Sequence, residues 1–151
     1  PGAGSGGGGG GASAPKSSNT KKGKELSVDE KRYYSAVSLQ SQEKYDEALE
    51  KFRVLADEAN SQEIGIKANF EIGRCLFSLK KYAETVKHYT ALLQDYPRIA
   101  EINDILYYIG KSYQEAGDQT KAKNFYKKAL SVGEPSQSVS RKVNAELRKI
   151  S

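Results

Sequence analysis

Cys75 and His88 are the one cysteine and the one histidine of this 151-residue chain, and they stand thirteen positions apart. A tetrahedral zinc site needs three or four nitrogen and sulfur ligands, and a thiol nucleophile needs a base beside it. No Cys-x-x-Cys, no His-x-x-x-His and no histidine paired with a carboxylate occurs. Cys75 is therefore expected as a core thiol and His88 as an outward polar side chain on a helix. The glycine run Gly6 to Gly11 leads into Ala12-Ser13-Ala14-Pro15. A phosphate cradle would instead lead from a strand into a helix. No catalytic residue, metal ligand or cofactor is expected, and the chain reads as a non-enzyme.

What remains is the chemistry of rings and charges. The chain holds 10 Tyr, 4 Phe, 24 Lys+Arg and 19 Asp+Glu, for a net charge of +5. Four lysines without an acid, and nine of the 14 glycines, fall within residues 1–24. Residues 25–151 then carry 20 basic and 19 acidic groups, a net of +1 that the reading places dispersed along helical faces. Nucleic-acid binding is not expected, because it rests on a basic stripe that neutralises phosphates. There is no apolar run of the roughly 20 residues a membrane helix needs. The chain reads as an excised fragment, with a disordered Gly/Ser/Lys-rich linker or tail at 1–26 and a domain at 27–151. A lone thiol fits either a reducing or an oxidising compartment.

The elements that must position the rings show themselves as a repeat. Lys44 to Phe52 aligns with Lys81 to Tyr89 and with Asp118 to Tyr126, at an offset of 37 residues both times. Three units follow, about 29–65, 66–102 and 103–139. In each, apolar or small residues recur at three- and four-residue steps, as in Phe70, Gly73, Leu76 and Phe77, which is the helical period. No useful run alternates with period two, so the chain reads as all-α. Ser27 and Glu30 have the spacing of a capping box that starts the first helix. Breaks fall near 41–43, 59–62, 79–81, 97, 117–118 and 133–135. A final amphipathic segment, about 138–150, puts Val139, Val143, Leu147 and Ile150 on one face and would cap the last hairpin.

One column of the repeat is small: Ala36, Gly73 and Gly110 should face Ala48, Thr85 and Ala122 of the paired helix. A second is bulky: Phe52, Tyr89 and Tyr126 should fill the space between hairpins. A glycine inside a helix costs roughly 1 kcal/mol against alanine. Close packing must repay that loss at Gly73 and Gly110.

These residues resemble the tetratricopeptide repeat: Leu106, Ile109-Gly110, Tyr113, Ala122, Tyr126 and Ala129 in unit three, Ile72-Gly73, Leu76, Thr85, Tyr89 and Pro97 in unit two. Unit one departs in its first helix, where Arg32, Ser35 and Ala36 stand. The resemblance implies a right-handed superhelical stack of three hairpins plus a capping helix, acting as a non-catalytic scaffold that binds a protein or peptide in its concave groove. The groove columns would be Tyr33, Phe70 and Tyr107, then Val37, Arg74 and Lys111, then Gln40, Phe77 and Gln114. Arg74 and Lys111 beside the rings would suit an extended peptide with an apolar side chain and a carboxylate. The columns lack the Lys and Asn clamp with which some family members hold a C-terminal carboxylate. The family's usual period is 34. The wider spacing looks like the periplasmic domains of bacterial envelopes, such as the Tol-Pal-associated cell division coordinator, and implies an envelope adaptor. The rival reading is a self-associating homo-oligomeric module built on exposed aromatics and the final helix.

Overall fold

The computed structural model describes residues 25–151, so nearly all of the linker expected at 1–26 lies outside the described residues. Seven helices and no strand make up what is described: α1 (Val28–Ser41), α2 (Tyr45–Glu58), α3 (Gln62–Ser78), α4 (Tyr82–Asp95), α5 (Ile102–Glu115), α6 (Gln119–Ser131) and α7 (Gln137–Ile150). The chain divides into two contact units at Lys31. In the described part of the first, the expected capping box forms: the Glu30 amide donates to Ser27 Oγ at 3.1 Å, and the Ser27 amide donates to Glu30 Oε1 at 2.8 Å. Each satisfies a donor that the helix start leaves orphaned.

The second unit, Arg32–Ser151, holds the repeat. Every expected break meets a connection between helices, overlapping a helix end only at Ser41 and Gln62. α3 begins at Gln62, at the end of the break expected near 59–62, and Ser61 caps it by accepting from the Ile64 amide at 3.2 Å. α7 begins one residue before the expected 138, with Ser136 as its N-cap. The turns inside the hairpins repeat one device. Glu43, Lys80 and Gly117 take φ of 61°, 63° and 93°, and the next amide reaches back to Leu39, Leu76 and Tyr113 respectively. This left-handed closure satisfies carbonyls at the helix end, and glycine adopts it most readily.

Packing follows the two columns. Ala36, Ala48, Thr85 and Ala122 are fully buried, as are Phe52, Tyr89 and Tyr126. Each bulky ring meets a first-helix ring at the same place in its unit: Tyr33–Phe52 at 5.9 Å between centroids, Phe70–Tyr89 at 6.0 Å and Tyr107–Tyr126 at 6.1 Å. Tyr89 is also pinned by its hydroxyl, which donates to the Phe70 carbonyl at 2.7 Å. Its ring lies flat against Gly73: a methyl there would come within 2.6 Å of three ring carbons. At Gly110 a methyl would meet two Tyr126 ring carbons at 2.8 Å. Buried Asn103 ties α5 to the end of α6 by donating to the Ala129 and Val132 carbonyls at 2.8 and 2.6 Å. Cys75 is a buried free thiol, and burial pushes its pKa up to about 12.

His88 is not the outward side chain expected of it. It is half-buried, with Nε2 2.7 Å from the Asn69 carbonyl oxygen. A carbonyl only accepts, so Nε2 carries a proton and donates it to Asn69. Burial lowers the His88 pKa, against the opposing pull of that carbonyl.

Two outcomes follow. Helix propensity alone would have Gly73→Ala stabilise by roughly 1 kcal/mol; the Tyr89 contact reverses the sign, to a loss of about 1–3 kcal/mol in chemical denaturation, with Gly110→Ala losing less. The His88 pKa is lower folded than unfolded, so its contribution is fully present above an unfolded value of about 6.5 and is lost as pH falls toward the folded pKa. Melting temperature should decline below that pH, and a His88→Gln variant should show a flatter profile between pH 7 and 5.

Candidate functional site

The first helices α1, α3 and α5 bring the expected groove columns together. Tyr33, Val37, Phe70, Arg74, Phe77, Tyr107, Lys111 and Gln114 are all half-buried. Successive first helices are joined by two polar knots of one design. In the first, Gln40 Nε2 donates to Glu71 Oε1 at 2.9 Å, Tyr33 Oη donates to Glu71 Oε2 at 3.5 Å, and Arg74 Nη1 lies 3.1 Å from Glu71 Oε1. In the second, Gln114 Nε2 donates to Glu146 Oε1 at 3.1 Å, with Lys111 Nζ 3.2 Å from Oε1 and Lys149 Nζ 3.3 Å from Oε2. Glu146 belongs to α7, which therefore stands where a fourth first helix would.

The electrostatics follow from the knots. Burial disfavours the Glu146 carboxylate, but the hydrogen bonds from Lys111, Gln114 and Lys149 prevail and lower its pKa. Burial opposes the Lys111 cation too, yet Glu146 and Glu115 raise its pKa. Arg74 behaves likewise beside Glu71. Burial first, then Glu71, pushes Tyr33 up to about 12.

Between the knots the pattern changes. Phe77 takes the place of the glutamine and Tyr108 that of the glutamate, and their rings meet at 5.3 Å. Here the surface opens into a hollow of about 550 Å³, walled by Val37, Arg74, Phe77, Tyr107, Tyr108 and Lys142. Lys142, on α7, holds its Nζ 4.8 Å from the Tyr107 ring centroid and 5.9 Å from that of Tyr108. No carboxylate pairs with it among the described residues. A second hollow of about 670 Å³, by the α4–α5 loop, contains Ile66, Tyr96 and Ile99 but none of the expected groove residues.

Two expectations need correcting. Lys111 is not a free groove cation: it sits between Glu115 at 3.4 Å and Glu146 at 3.2 Å. Gln114 is also engaged, donating to Glu146 and accepting from the Tyr126 hydroxyl. Both belong to the seam that holds α7, and Arg74 turns its guanidinium partly toward Glu71. Sequence reasoning missed Glu71, Tyr108, Lys142 and Glu146. Their signal was present but faint. Glu71 and Tyr108 share a column 37 apart, whereas Glu146 lies one residue beyond the next step because the α6–α7 connection is longer.

The tetratricopeptide repeat family model matches residues 67–98 and 104–132, which span most of α3–α4 and α5–α6. Solved structures of similar fold include PcrH from Pseudomonas aeruginosa, with a TM-score of 0.69 at 18% identity over 83% of this chain and 95% of that one. The type III secretion translocator chaperone SycD from Yersinia enterocolitica gives 0.68 at 14% identity, over 82% and 90%. The TPR domain of Arabidopsis FLU gives 0.59 at 20%, over 67% and 90%. PcrH is also known in complex with the chaperone binding regions of PopB and PopD. At these identities the likeness is one of fold, an all-α helical repeat. No curated protein matches the chain in sequence. These matches do not show the narrower likeness to envelope cell-division coordinators.

Glu146→Gln should destabilise the fold by about 1 kcal/mol by taking from Lys149 its carboxylate partner and from Lys111 one of its two, Glu115 remaining. Because the folded Glu146 pKa is lowered, the wild-type advantage is fully present above the ordinary carboxylate pKa and fades as pH falls through the folded value. Paired denaturation curves of the two proteins across that range check this.

Proposed function

We propose, from the match of two of its units to the tetratricopeptide repeat family, that the chain is a non-catalytic adaptor holding an extended segment of a partner protein in the groove of α1, α3 and α5. The observation that carries this reading is the hollow between the two knots, with an aromatic floor of Phe77, Tyr107 and Tyr108 and cations at Arg74 and Lys142. Half-buried rings offer apolar area to a ligand, and a desolvated side chain between them would carry much of the binding energy. Lys142, lacking a carboxylate of its own, favours an acidic residue beside that anchor. The complexes of PcrH with segments of PopB and PopD support the mode for a chain of this fold. The wider repeat spacing keeps a bacterial envelope setting within the proposal. The rival, self-association through the final helix, gains little support, since Val139 and Val143 of α7 are buried in the fold.

The reading is tested with an array of extended peptides that vary one large apolar position and its acidic neighbours. Binding should require both features, fall more than about tenfold in Phe77→Ala, which corresponds to about 1.4 kcal/mol, and weaken in Lys142→Glu. Retention that ignores the Phe77 change would overturn it.

A further inference from the structure

The charge of residues 25–151 is not dispersed as its near-zero net suggested. Residues 25–118 hold 12 basic and 17 acidic groups, a net of −5, whereas residues 119–151 hold eight and two, a net of +6. The segregation is clearest on the outer side of the second helices, where positions separated by the repeat are exposed in every unit. On α2 these are Glu47, Glu50, Arg53, Val54 and Asp57, a net of −2; two repeats later, at the same positions of α6, they are Lys121, Asn124, Lys127, Lys128 and Ser131, a net of +3. α4, between, mixes Glu84 with Lys87. None of these side chains forms an ion pair among the described residues. Lys121 and Lys128 instead lie 5.3 and 5.0 Å from the ring centroids of Tyr113 and Phe125, which hold their charges at the surface. Val54, 37% exposed, stands within the acidic stripe.

We propose that this outer face is the interface of an antiparallel two-fold homodimer, with α2 of each copy set against α6 of the other and α4 at the axis. The same chain supplies both complementary surfaces, and a two-fold axis engages both ends at once, the commonest closed arrangement of identical chains. Parallel pairing would oppose like charges. At α4, Glu84 of one copy would meet Lys87 of the other, so the centre is self-complementary as well. The contact lies on the side away from the first helices, so the dimer leaves the groove accessible and does not depend on its proposed use. Exposed ion pairs contribute only about 0.2–1 kcal/mol each. The association is therefore weak and responsive to salt.

Light scattering on the full chain over a range of concentrations tests this. At low salt the mass should climb from monomer toward dimer. The climb should vanish at about 1 M salt, where the screening length is about 3 Å. Glu47→Lys with Glu50→Lys, and separately Lys121→Glu with Lys128→Glu, should each weaken the dimer at least tenfold. Mixing the two variants should restore a one-to-one dimer, since each then supplies the charge that the other needs. The proposal is overturned by a monomer at every concentration in low salt, by a dimer indifferent to salt and to both reversals, or by a monomer that uses Lys121 and Lys128 to capture poly-glutamate or an oligonucleotide instead. The salt response of the unaltered protein decides the matter even if a variant fails to fold.

Discussion

The rest of the structure depends on one contact, the face of the Tyr89 ring against the bare Cα of Gly73. It lets α3 and α4 approach to a distance that a single methyl would prevent. The ring fills that space completely, and its hydroxyl finds the Phe70 carbonyl, so a large side chain is buried with no polar atom left unpaired. Gly110 and Tyr126 repeat the arrangement one unit on, and Ala36 and Phe52, both fully buried, hold the corresponding positions one unit back. Close packing of this kind makes the hairpin a rigid unit, because interiors near crystal density give way little to a change of volume. Only with the hairpins rigid can the side chains of α1, α3 and α5 hold a fixed relation across the groove.

Along that groove, the junctions between first helices decide what is available to a partner. Where a glutamine meets a glutamate, as at Gln40–Glu71 and Gln114–Glu146, the charges and hydrogen bonds close on one another. Where Phe77 meets Tyr108, the surface stays open and apolar. The binding character of the hollow thus comes from the interruption of a polar pattern by two rings. α7 contributes in two ways: Glu146 completes the second knot, and Lys142, one turn earlier, brings a cation over the rings of the hollow.

Much of the architecture was legible in the sequence, for a definite reason. A 37-residue period repeated three times, with helical spacing inside each unit, leaves little freedom in the number, order or pairing of helices. The small and bulky columns are recognisable because each side chain is chosen by the volume next to it, and volume repeats with the backbone. The site was less legible. Tyr33, Phe70 and Tyr107 were visible as a column, but their half-burial against Phe52, Tyr89 and Tyr126 depends on the closeness of the hairpins. Lys111 and Gln114 share a helix face with groove positions, yet both face a glutamate more than thirty residues away in the chain.

The sequence by itself determined that this is an all-helical repeat with a glycine-dependent packing column, a capping segment after the third unit, and no paired cysteine or histidine with which to build a metal or nucleophile site. Those properties rest on periodicity, residue volume and composition, which are local or counted along the chain. Only the tertiary structure decided which charges neutralise one another and which stay open. It set Lys111 against Glu146 and left Lys142 over two rings, and it left carboxylates of α2 and lysines of α6 exposed on the second helices. Electrostatic interaction depends on separation in space and on burial, and the 37-residue period could not reveal either at a position where the last helix slips by one residue.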